Sequence, residues 1–75
     1  MSAGPVGKVG RVLVRIRGGE APGEVVVTVA GSPETYLAYG EKGIAVGSDV
    51  LVIATRTGRG IDVVPWDSAL SLSER

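Results

Sequence analysis

Apolar and polar residues alternate over several short stretches of this chain, and glycine-rich breaks separate the stretches. Val12, Val14 and Ile16 interleave with Arg11, Leu13, Arg15 and Arg17, which predicts a first strand over Val9–Arg17 with the three even positions turned inward. Gly10 interrupts that run near its start and predicts a bulge or a tight bend there. Gly18–Gly23 carries strong turn signals. A second strand follows over Glu24–Ala30, where Val25, Val27 and Val29 alternate with Glu24, Val26 and Thr28. Its β-branched residues suit a pleated surface and disfavour helix. Gly31-Ser32-Pro33 reads as the next turn, and Glu34–Tyr39 as a short third strand. Tyr36 and Ala38 share one face of that strand, while Thr35, Leu37 and Tyr39 share the other.

The second half continues the pattern. Gly40–Ser48 is a loop whose apolar pair, Ile44 and Val46, is placed to tuck under a barrel and close its end, with room for a single helical turn. Asp49–Thr55 is nearly all apolar and predicts a central fourth strand. Arg56–Arg59 reads as a hairpin turn built on Thr57-Gly58. Gly60–Trp66 reads as the fifth strand, with Ile61 and Val63 alternating with Asp62 and Val64 until Pro65 ends the pairing. Trp66 is placed to cap the barrel. The expected organisation is a leader over residues 1–5, one domain over 6–66 and a flexible Ser-rich tail over 67–75. Five short strands with a longer connection between the third and fourth predict an all-β fold, a small five-stranded OB-like β-barrel, with an SH3-like barrel as the competing arrangement. Closure matters because an open sheet of this size leaves unpaired edges, which also offer a route to self-association.

Composition narrows the chemistry. The 75 residues contain neither Cys nor His, which removes disulfides, thiol nucleophiles, imidazole bases and zinc-finger ligand sets together. The two lysines, Lys8 and Lys42, and serines confined to turns or tails offer no Ser-Lys pair, and the carboxylates are dispersed. The expected reading is no catalysis, no cofactor and no metal. No apolar run approaches the ~20 residues of a membrane helix, and the N-terminus lacks the pattern of a signal peptide.

Formal net charge is zero, but its distribution is uneven. Residues 1–17 hold Lys8, Arg11, Arg15 and Arg17 with no acid, which is +4. Residues 18–49 hold five acids against Lys42, which is −4. Zero net charge argues against a general nucleic-acid binder. The alternative reading is an OB-fold single-stranded nucleic-acid-binding domain, which needs exposed aromatics, and Tyr36 and Tyr39 stand at opposite parity. Gly7-Lys8-Val9-Gly10 is too short for a phosphate loop and leads into a strand.

A family resemblance adds what composition does not. Val6-Gly7-Lys8-Val9-Gly10-Arg11-Val12 resembles the opening of the soluble C-terminal domain of NfeD-family proteins. Pro22-Gly23-Glu24-Val25, Tyr36-Leu37-Ala38-Tyr39, Ile44–Ile53 and Val63-Val64-Pro65 match further family segments in order, so the resemblance spans residues 6–66. It implies an OB-fold carried by a membrane protein, attached through an anchor outside this chain, with the cytoplasmic side favoured. It also implies a stomatin- or flotillin-like membrane protein as partner, and a role in membrane organisation or membrane protease control. The chain has Ile16-Arg17-Gly18-Gly19 where one branch of the family carries Leu-Arg-Pro.

The candidate interaction surface is Arg11, Arg15 and Arg17, at period two on the first strand, together with Tyr39. The arginines form a stripe suited to an acidic partner or to anionic lipid headgroups. The simpler reading, which the sequence favours, is a solvated outer face whose arginines pair across strands with Glu20 or Glu24. The partner is expected to be a stomatin- or flotillin-like protein or a second copy of the chain, with nucleic acid not expected.

Overall fold

The computed structural model describes residues 4–66. Its strands are β1 (Val9–Val14), β2 (Gly23–Val29), β3 (Ser32–Tyr39), β4 (Asp49–Arg56) and β5 (Gly60–Pro65). They close in the order β1-β2-β3-β5-β4. All pairs are antiparallel except β3–β5, which run parallel over Leu37↔Gly60, Ala38↔Ile61 and Tyr39↔Asp62. This order, closed through one parallel seam, is that of an OB barrel and not of an SH3-like one.

Ten buried apolar side chains of the described residues fill the centre, among them Val12, Ile16, Val25, Val50 and Ile61. Among the described residues no polar or charged side chain is buried. The alternation expected for the second and fifth strands holds: Val25, Val27, Ile61 and Val63 are buried, and Val29 packs against them at the barrel margin. Ala38 is buried and Tyr36 packs partly on the same core.

The first strand departs from its expected form. It ends at Val14, and its bulge lies at Leu13, between the pairs Val12↔Val25 and Val14↔Glu24. Gly10 instead sits in regular pairing opposite Val50. A methyl group there would stand 2.6 Å from Val25 Cγ1 and 2.7 Å from the Val26 carbonyl oxygen, so this glycine serves close approach of two strands. The extra residue at Leu13 shifts the parity, so Val14 points to solvent at 49% exposure. Ile16 regains the interior and pairs with Ile44 in an isolated antiparallel bridge.

Two connections also differ. The turn expected at Gly31-Ser32-Pro33 lies one step earlier, on Ala30 and Gly31, both left-handed at φ 52° and 83°. Ser32 already pairs with Val29 and Pro33 with Thr28. Two left-handed central residues are the signature of the hairpin turn whose twist matches the strands. In the Gly40–Ser48 connection only Ile44 closes the barrel end; Val46 is 61% exposed and the segment carries no helical turn. Trp66 is half-buried and lines a cavity of about 360 Å³ with Ile44 and Pro65, at the end where a cap was expected. The tail expected over 67–75 lies outside the described residues.

Candidate functional site

The outer surface, not the interior, carries every charged group of the described residues. Two clusters form where the β4–β5 hairpin meets β3. Its turn brings Arg56 and Arg59 over the two tyrosines of β3. The Arg56 guanidinium lies 3.8 Å from the Tyr39 ring centre, and that of Arg59 lies 4.8 Å from Tyr36. Both are cation–π distances. Arg56 also donates to Asp62 at 2.9–3.0 Å and faces Glu20 at 4.0 Å. The hydrogen bond to Asp62 raises the Arg56 pKa above its ordinary value.

Arg59 performs a second task. Strand β5 joins β3 only from Leu37 onward, where the Leu37 N–H donates to the Arg59 carbonyl. Upstream, the odd positions of β3 turn their backbone groups away from β2 toward open space. Pro33 has no N–H to offer there. Arg59 Nε and Nη2 donate to the Thr35 carbonyl at 3.3 and 3.2 Å, while Nη2 is held by Glu34 Oε1 at 3.0 Å. One side chain therefore covers an otherwise open strand edge.

The expected surface residues are not one stripe. Arg11 pairs with Asp49 on β4 at 3.5 Å, not with Glu20 or Glu24. Arg15 and Arg17 are exposed in the extended segment beyond β1, on either side of buried Ile16, and have no ion-pair partner among the described residues. Tyr39 belongs to the Arg56 cluster, half-buried, and forms no stripe with them. It lines a groove of about 480 Å³ together with Ile53, Val64, Glu20, Glu41, Asp62 and Arg56. Periodicity alone missed Arg56, Arg59 and this groove. The available signal was two arginines flanking the Thr57-Gly58 turn, which a hairpin holds close together.

No group of three or more metal-ligating side chains occurs among the described residues, and no described helix is long and apolar enough to cross a membrane.

The barrel order and the ordered glycine and valine segments have a counterpart in known proteins. The profile of the NfeD C-terminal domain matches residues 5–64. The chain belongs to the NfeD C-terminal domain family. Among solved NfeD structures it is similar to the soluble domain of the NfeD protein YuaF from Bacillus subtilis. That likeness has 26% identity and a TM-score of 0.67, covering 79% of this chain and 70% of that one. It also shares its fold with the C-terminal domain of stomatin operon partner protein 1510-C from Pyrococcus horikoshii. There identity is 24% and the TM-score 0.59, covering 81% of this chain and 86% of that one. No curated protein matches the chain. NfeD membership accounts for the barrel and leaves the working surface to be found from the residues themselves.

Proposed function

We propose that this chain is a non-enzymatic interaction module, the soluble domain of an NfeD-type membrane protein. It presents its outer surface to a stomatin- or flotillin-like membrane protein and acts in membrane organisation or in the control of membrane proteolysis. The observation that carries this reading is the division of labour between inside and outside. Among the described residues the buried side chains are aliphatic, and the polar groups that cluster do so as exposed ion pairs and Arg–Tyr stacks, which suit recognition more than bond-making. The naming of the archaeal relative as a stomatin operon partner supports the choice of partner class.

The surface assigned to this contact is Arg15 and Arg17 with their flanking aliphatic residues, with Arg11 and Tyr39 at its margins. The test is capture of the purified chain by a stomatin-like protein held in lipid nanodiscs. Saturable binding that falls at least about tenfold in the Arg15→Glu/Arg17→Glu variant supports the assignment. Absence of binding, or binding indifferent to the variant while its thermal unfolding is unchanged, overturns it.

A further inference from the structure

Both strand bulges push an aliphatic side chain outward. Leu13 is the extra residue of β1, and Ile53 is the extra residue of β4, between Val52↔Val63 and Ala54↔Asp62. Leu13 is 46% and Ile53 50% exposed. Bulges commonly re-aim a side chain for use, and the surroundings of these two are of opposite charge. Leu13 and Val14 lead into Arg15 and Arg17, a ridge that is aliphatic and cationic. Ile53 lines a groove that also holds Glu20, Glu41, Asp62 and Arg56, three carboxylates to one guanidinium, in which Asp62 alone is firmly committed to Arg56. Glu20 meets Arg56 only at 4.0 Å with its side chain 94% exposed, and Glu41 has no ion-pair partner among the described residues.

We propose that the ridge of one chain seats in the groove of a second copy, with Leu13 and Val14 against Ile53 and Val64 and with Arg15 and Arg17 facing Glu20 and Glu41. Charge complementarity selects this occupant, since both halves of the contact are present on one chain. Their placement suits a two-fold pair. The segment carrying Arg15 and Arg17 is bridged to the loop that follows β3 by Ile16↔Ile44, and the Gly19 N–H donates to the Gly40 carbonyl at 2.9 Å, so the arginine end of the ridge runs into the groove that Gly19 and Gly40 line. Adjoining complementary patches make the same contact twice across a two-fold axis. Lys42, beside the neighbouring cavity, reduces the acidity of the groove and keeps the contact weak.

The proposal deepens the interaction-module reading by naming one partner of the same surface. Its test is sedimentation equilibrium of the 75-residue chain over a wide concentration range. Reversible dimerisation is expected, weakening at least about tenfold between roughly 0.1 and 1 M salt, as the screening length falls from about 10 Å to about 3 Å. Arg15→Glu/Arg17→Glu and Glu20→Arg/Glu41→Arg are each expected to be monomeric alone, and a mixture of the two is expected to dimerise, because each then offers the other its complement. Circular dichroism melting of each variant separates a surface effect from unfolding. A wild-type chain that stays monomeric, dimerisation insensitive to salt, or variants whose mixture fails to associate each overturns the proposal. A monomeric chain that still binds a stomatin-like protein would sink the self-contact and leave the module reading intact.

Discussion

Ala30 holds a backbone conformation that suits glycine or asparagine better. At φ 52° its Cβ crowds the backbone, which costs an L-residue on the order of 1 kcal/mol. The turn it forms with Gly31 favours Asn-Gly. Ala30→Asn is therefore expected to raise stability by about 1 kcal/mol, seen as a melting temperature higher by about 4–8 °C. A lower melting temperature would show that the turn is not under this strain. Two isoleucines give a second residue-level contrast. Ile61 is fully buried, and Ile61→Ala should cost about 2–5 kcal/mol by urea unfolding. Ile53 stands half out in solvent, and Ile53→Ala should cost about 1 kcal/mol or less. Equal losses at both would place Ile53 in the core and remove its role in lining the groove.

Strands with a regular two-residue period were readable from the chain, and bulged strands were not. Ile61 and Val63 announce their inward face through Asp62 between them, and Val25 and Val27 through Glu24 and Thr28 at the opposite parity; one face of each strand is buried. The bulges fall inside Val12-Leu13-Val14 and Val52-Ile53-Ala54, where three apolar residues in a row give no mark of which one is extra. A slip of one position there turns Val14 outward, and that slip creates the ridge. The Arg–Tyr clusters were hidden for another reason: Arg56 and Tyr39 meet only through the parallel seam, which no local pattern encodes. At this scale Arg59 governs an edge. Arg59→Ala uncovers the Thr35 carbonyl and should promote strand-to-strand aggregation on mild heating, followed by light scattering, while Arg59→Lys should do so less. This aggregation should persist at high salt, unlike the ridge-and-groove dimer. Unchanged scattering for Arg59→Ala would remove the protective role.

On the whole molecule, the two arginines laid over the tyrosine rings bear on what the barrel can hold. A base needs a free aromatic face, and those of Tyr36 and Tyr39 are each occupied on one side by a guanidinium tied to a carboxylate. Fluorescence anisotropy with a short single-stranded DNA at about 0.1 M salt is expected to show no saturable binding below roughly 100 µM, weaker than ordinary non-specific affinities. Micromolar, salt-sensitive binding lost in Tyr39→Ala would reverse that expectation.

The parallel closure between β3 and β5 spans only three residue pairs, and residue 9 meets residue 51 across the neighbouring wall. Partners so remote along the chain must wait for large loops to close, so assembly should take milliseconds to seconds. Once formed, that brief stitch is also where the cylinder should unzip first. Deuterium uptake at Leu37 and Tyr39 should outrun that at Val25 and Val27, and the cylinder would thereby possess a built-in hinge line, set beside the one arginine that guards it.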